Sequence, residues 1–206
     1  MPTNIGTEVR ISEEELQRAQ FYQLLARLLG APVDEELVDL LKNIEGDDSP
    51  LGVALTALKD LAHRITLNEA VDEYNALFIG VTQGELVPFK SYYLTGFLNE
   101  KPLAELRAHM DEVGIAKSED ASDPEDHIAS LCEMMHGLIV GEFGNPAGKP
   151  MTLSDQYLFF DNHIGNWAPK FFEDLEAAEA ARLYMPVGLI GKLFLEVESE
   201  AFLIAA

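Results

Sequence analysis

Almost every apolar run in this chain repeats with the 3.6-residue period of a helix, and none alternates with the period of two that a half-buried strand requires. Ser12-Glu13-Glu14-Glu15 reads as a capping box, after which Phe21, Leu24, Leu25, Leu28 and Leu29 recur at helical spacing until Gly30. Asp34 is placed to cap a second helix with Leu37, Leu40, Leu41 and Ile44 inward. Pro50 opens a third, and Asn68 is expected to cap a fourth that carries Val71, Tyr74, Leu77 and Phe78. Gly80, Gly84 and Pro88 then break the rhythm before the aromatic cluster Phe89, Tyr92 and Tyr93. Helical spacing resumes at Pro102 and stops at Gly114. Later, Ser154 is expected to cap a helix with Tyr157, Phe160, Ile164 and Trp167. Phe171, Phe172 and Leu175 follow Pro169, and Pro186 starts a terminal helix. The pattern predicts an all-α, single globular domain over residues 1–206, built from about eight to ten helices, with the polar connection 114–123 as a hinge between its halves.

Charge narrows the partners. A formal net charge of −22 on 206 residues repels phosphate backbones and anionic lipid and attracts basic peptides, although acidity also serves solubility. Nucleic acid is therefore not an expected ligand. The single cysteine, Cys132, falls on an apolar helical arc, which excludes an internal disulfide and fits a reducing compartment. The first ten residues lack the basic start and apolar run of a secretory signal, so a cytoplasmic location is expected. The long apolar stretch near the C-terminus is interrupted by Lys192, Glu196, Glu198 and Glu200, so stable membrane insertion is not expected.

The most informative local run is Asp123-Pro124-Glu125-Asp126-His127-Ile128. Asp123 followed by Pro124 suits an N-cap and the first helical position, and Asp126 falls where a capping box needs a carboxylate. On that helix Ile128, Leu131, Cys132, Met135, Leu138 and Ile139 share one apolar arc. His127 is expected on its rim, and Asp126 is expected outward on the far side. Consecutive helical residues point about 100° apart, so a catalytic Asp126–His127 dyad is disfavoured.

Other catalytic signatures are weak. Gly144-Asn145-Pro146-Ala147-Gly148-Lys149-Pro150 has its glycines one residue too close for a phosphate loop, and proline stands where the magnesium-binding hydroxyl would be. His63, His109, His127, His136 and His163 form no metal-binding spacing. Cys132 and His136 are one turn apart, but the cysteine reads as a core thiol. Neither a metal nor another cofactor is expected.

Four blocks taken in order resemble a known family. Tyr74-x-x-Leu77-Phe78 before Gly80 is similar to an aromatic-x-x-Leu-Phe block, and Pro88-Phe89-x-Ser91-x-Tyr93 to a Pro-Tyr-x-Ser-x-Tyr block. Asp123-Pro124-x-Asp126-His127 resembles a Glu-Pro-x-Asp-His signature, with aspartate for the usual glutamate, and Trp167-x-x-x-Phe171 resembles a late Trp/Phe pair. These are features of the TorD/DmsD/NarJ family of molybdoenzyme chaperones. The resemblance implies a TorD-like, non-enzymatic protein, monomer or homodimer, that binds the twin-arginine leader or the immature catalytic subunit of a molybdoenzyme precursor. It carries over Tyr74, Leu77, Phe78, Pro88, Ser91, Tyr93, Pro124, Asp126 and His127 as residues around a peptide groove. A receptor for such a leader needs carboxylates for guanidinium groups and an apolar groove, and Asp126 and Glu125 are expected to supply the carboxylates. The alternatives are a metal hydrolase using Asp126 and His127, or a structural adaptor between proteins.

Overall fold

In the computed structural model, which describes residues 11–117, 123–143 and 151–205, ten α-helices and two π-helical turns follow one another, and no strand occurs among the described residues. The sole β feature there is an isolated antiparallel bridge between Phe89 and His127. The phosphate-loop-like run 144–150, the first ten residues and part of the expected hinge, 118–122, lie outside the described residues.

Helix α1 (Glu13–Gly30) starts as expected: the Ser12 hydroxyl accepts from the Glu15 N–H, and the Glu15 carboxylate accepts from the Ser12 N–H. Asp34 caps α2 (Glu35–Lys42), and Ser49 with Pro50 opens α3 (Pro50–Ala62). Leu37 and Leu41 are buried on α2, whereas Leu40, expected inward, is exposed. Two expected caps are displaced by two residues. Thr66, not Asn68, caps α4 (Leu67–Tyr74), and Thr152, not Ser154, caps α8 (Leu153–Phe160). In both, the acidic residue three positions on, Glu69 or Asp155, completes a capping box that neither asparagine nor serine could make at its own position.

Helices α5 (Lys90–Thr95) and α6 (Lys101–Val113) end in left-handed glycines, Gly96 and Gly114. Helix α7 (Ile128–Val140) packs along α1, while α10 (Tyr184–Ala205) packs on α3 and on α9 (Ala168–Ala177). A β-carbon at Gly188 would sit 2.5 Å from the Glu176 backbone nitrogen, so the α9–α10 contact depends on that glycine. The buried apolar side chains form one cluster from Ala19 to Phe202. None of the described helices is long and apolar enough to cross a membrane.

Buried carboxylates tie distant helices together. Glu198, 1% exposed, accepts from the Arg18 guanidinium at 2.6 and 2.9 Å and from the Tyr22 hydroxyl at 2.9 Å; Arg18 also donates to Gln156 at 3.0 Å. Glu73 on α4 accepts from the backbone N–H groups of Arg182, Leu183 and Tyr184, serving as the cap for α10 in place of a local residue.

Candidate functional site

The central helix begins four residues later than its sequence implies. Residues 123–127 form a turn, and the N-cap of α7 is His127, whose Nδ1 accepts from the Ala129 N–H at 3.1 Å. Tertiary contact overrides the local Asp-Pro signal. The Phe89–His127 bridge, the Ile128 N–H to Pro88 carbonyl bond at 2.9 Å and the Lys90 N–H to Asp126 carbonyl bond at 3.0 Å stitch this turn to the start of α5.

Asp126 accordingly does not project outward. It is 0% exposed, and its Oδ2 accepts from the Ser91 N–H at 2.7 Å, capping α5 from a segment 35 residues away. Among the described residues its Oδ1 and the Ser91 hydroxyl have no partner. Glu125 also turns inward, as a bidentate acceptor for Arg107 of α6 at 2.8 to 3.2 Å. Its pKa is lowered: burial pushes it up, but the Arg107 guanidinium outweighs that. The carboxylates expected to await a leader arginine therefore already have internal donors.

The remaining residues of the four blocks converge on the same region. The Tyr74 hydroxyl donates to the Leu29 carbonyl at 3.2 Å, and its ring lies 5.0 Å from that of Phe78. Tyr93 donates to Asp174 at 3.1 Å and packs on Trp167 and Phe171, so the late aromatic pair meets the middle block. Leu77, Pro88, Ser91 and His127 are buried, while Phe78, Tyr93 and Pro124 are half-buried. The blocks are brought together as a scaffold, and most of their side chains face inward.

What they hold outward is a pair of clefts. After α4 the chain widens into a π-helical turn, Asn75–Ile79, ending at Gly80 with φ 62°, and the following loop folds back so that the Leu86 N–H donates to the Leu77 carbonyl at 2.8 Å. Leu77 is thereby buried and Ile79 exposed. Ile79, Leu86, Pro88, Tyr92, Phe97 and Leu98 line an apolar groove of about 440 Å³, with Phe97 69% exposed. Across the stitch, Asp123, Glu125 and Glu133 line a smaller cleft of about 230 Å³ whose walls include Met110, Met134 and Phe143. Burial raises the Glu133 pKa. The sequence pointed to Tyr92 as part of an aromatic cluster, but gave no sign of Ile79, Phe97 or Leu98, whose exposure depends on the π turn and the Gly96 bend.

A hydrolytic dyad gains no support from this geometry. His127 spends Nδ1 on its helix cap, and burial lowers its pKa to about 4, against the pull of Asp123 and Asp126. No group of three or more metal-ligating side chains occurs among the described residues. Cys132 is buried and its thiol pKa is raised by burial, as an inert core thiol requires.

An all-helical fold that holds an apolar groove beside an acidic cleft on a buried scaffold defines the structural class. Comparison with known proteins gives the class its family: residues 44–173 match the profile of the nitrate reductase delta subunit family, and the chain belongs to that family of molybdoenzyme chaperones. Among curated relatives, the chaperone protein TorD of Vibrio parahaemolyticus is 25% identical over 93% of this chain and 96% of its own length. TorD of Photobacterium profundum is 26% identical over 82% and 86%. A crystal structure of a redox enzyme maturation protein from Archaeoglobus fulgidus superposes with a TM-score of 0.57 at 20% identity, covering 87% of this chain and 93% of that one, which establishes the shared fold. The reading as a non-enzymatic protein rests on this kinship.

Proposed function

We propose that this chain acts in the cytoplasm, as a monomer or homodimer, holding the twin-arginine leader or the immature catalytic subunit of a molybdoenzyme precursor until its cofactor is inserted and export follows. The observation that carries this reading is the placement of an apolar groove and a three-carboxylate cleft on the two segments joined by the Phe89–His127 bridge. A leader with adjacent arginines and an apolar stretch matches both. The apolar stretch lies on Ile79, Tyr92, Phe97 and Leu98, and one guanidinium takes the place of Arg107 on Glu125, flanked by Asp123 and Glu133. Arg107 is half exposed while Glu125 is nearly buried, so the exchange moves one surface side chain and leaves the carboxylate in place. Tyr74, Leu77, Phe78, Pro88, Ser91, Tyr93, Pro124, Asp126 and His127 act here mainly as the support that holds both clefts in register.

Calorimetric titration with a synthetic twin-arginine leader peptide tests this. Glu125→Gln is expected to weaken binding by about tenfold or more, since a charge-assisted bond is lost. Arg107→Gln is expected to strengthen it by removing the internal competitor. A peptide with both arginines replaced by glutamine that binds as tightly as the original would overturn the reading. A folded client captured equally well without its leader would favour an adaptor.

A further inference from the structure

A second polar cleft, of about 480 Å³, lies between α5, α6 and the π-helical turn Asp161–Gly165, and no block of the family signature lines it except through Lys90, a position the signature leaves open. Lys90 is 2% exposed. Its Nζ lies 3.1 Å from His163 Nδ1 and 3.5 Å from the Pro102 carbonyl, and among the described residues no carboxylate is within ion-pair distance. His163 Nε2 in turn lies 2.8 Å from Nδ1 of His109, a half-buried ring on the cleft wall. Both rings are fixed: they pack on Phe159 at 4.9 and 5.4 Å, and Trp167 Nε1 donates to the His163 carbonyl at 2.7 Å.

The chemistry of the donors gives this chain a direction. A charged ammonium only donates, so His163 Nδ1 accepts; its proton is then on Nε2 and donates to His109 Nδ1, which leaves the His109 proton on Nε2. One proton passing along each link, from Lys90 Nζ to His163 Nδ1 and from His163 Nε2 to His109 Nδ1, converts Lys90 to a neutral amine and His109 to an imidazolium. No proton is gained or lost. The positive charge has moved from a site where burial opposes it to the wall of an accessible cleft. The charged groups around the chain are Glu105 and Glu112 on α6, Asp155 on α8 and Asp126 beside α5; Glu105 and Asp126 favour charge on Lys90, whereas Glu112 and Asp155 favour it on His109. Burial lowers the pKa of Lys90, of His109 and, to about 3, of His163, so none of the three is an ordinary surface base.

We propose that this cleft binds a small carboxylate anion, and that the Lys90–His163–His109 chain presents its single positive charge to that anion at His109. A carboxylate fits better than a phosphate dianion. One transferable charge meets one negative charge, while Glu105 and Glu112, which line the same cleft, repel any anion and a dianion about twice as strongly. Asn162, whose side-chain amide is a hydrogen-bond donor, lines the same cleft.

Nitrogen-15 NMR of histidine-labelled full-length chain, titrated with acetate and separately with inorganic phosphate at fixed pH and ionic strength, tests this directly. Acetate is expected to give a saturable change in which His109 becomes an imidazolium and His163 switches its proton to Nδ1, and phosphate is expected to bind about tenfold more weakly or not at all. Lys90→Met and, independently, His109→Gln are expected to abolish the response while cooperative thermal melting is retained; should the lysine variant not fold, the histidine variant alone decides. A change that does not saturate and is shared by the exposed His63 overturns the proposal, as does phosphate binding as tight as acetate. Neither outcome bears on leader binding, which involves other side chains.

Discussion

Glu198 and Asp126 are both fully buried carboxylates, yet their surroundings differ in kind. Each Glu198 oxygen has a donor, from Arg18 or Tyr22, and Arg18 is satisfied further by Gln156. Asp126 has one oxygen on the Ser91 N–H and the other without a partner among the described residues, beside a serine hydroxyl in the same condition. A satisfied network in low dielectric is a rigid fastening, whereas a half-satisfied one costs stability that a fold keeps only where geometry is needed for something else. The first joins α1, α8 and α10 in the core; the second lies under the two clefts.

The largest expected effect is at the first site. Glu198→Ala leaves the partly buried Arg18 guanidinium without its carboxylate, with only Gln156 still accepting from it, and is expected to cost about 3 kcal/mol in denaturant unfolding. Leader affinity, measured well below the melting temperature, is expected to stay unchanged. A small loss of stability would mean that Arg18 reaches solvent and that the two sites are less different than their geometry suggests.

Acid is expected to open the second site first. His127 is held neutral in the fold, its pKa lowered to about 4 from an ordinary value of 6.5, so between those values the unfolded chain binds the proton that the folded chain refuses. Stability therefore falls as pH drops from 6.5 toward 4, by roughly 3 kcal/mol from this group alone. Protonation also removes the Nδ1 acceptor that caps α7. The amides of Ala129 and Ser91 are expected to exchange faster at pH 4.5 while those around Glu198 stay protected. His127→Asn keeps a cap acceptor and is expected to flatten the pH dependence. Uniform exchange across both regions would remove the distinction.

The difference also marks how far the sequence could be read. Ser12, Asp34, Pro50, and Pro102 with Gly114 are legible because each acts within one turn of its own helix, whereas the Ser49 cap before Pro50 reads as part of a loop. Thr66 and Thr152 carry the same kind of signal, each with an acid three residues on, but nearby Asn68 and Ser154 are competing cap residues. Asp123-Pro124 misled for a different reason: its local chemistry is a good helix start, but hydrogen bonds to Pro88 and Lys90, some 35 residues away, hold it as a turn and pass the cap to His127. The four blocks lie in one region of the fold, but which of their side chains face outward is not legible in them. The two π-helical turns set that, and Lys90, His109 and His163 meet only because three separate elements converge.

Removing the Asp126 carboxylate bears on the comparison at intermediate size. Asp126→Ala strips the acceptor from the buried Ser91 N–H and is expected to cost about 1–3 kcal/mol, less than Glu198→Ala because only one donor is orphaned and no cation is stranded. Leader binding is expected to weaken as well, through loosening of the stitch between α5 and the turn before α7.

The smallest effect is the most discriminating. If the Ser91 hydroxyl has no partner, Ser91→Ala removes a buried polar group that pays desolvation for nothing, and stability is expected to stay level or rise by up to about 1 kcal/mol. The backbone N–H that Asp126 accepts is untouched by the change, so the α5 cap persists. Thermal melts of Ser91→Ala, Asp126→Ala and the double variant separate the contributions: with an idle hydroxyl the single effects add, whereas a partnered one makes Ser91→Ala destabilising by more than about 1 kcal/mol and couples it to Asp126. In the second outcome Asp126 is as fully bonded as Glu198, and the two carboxylates belong to one kind of site after all.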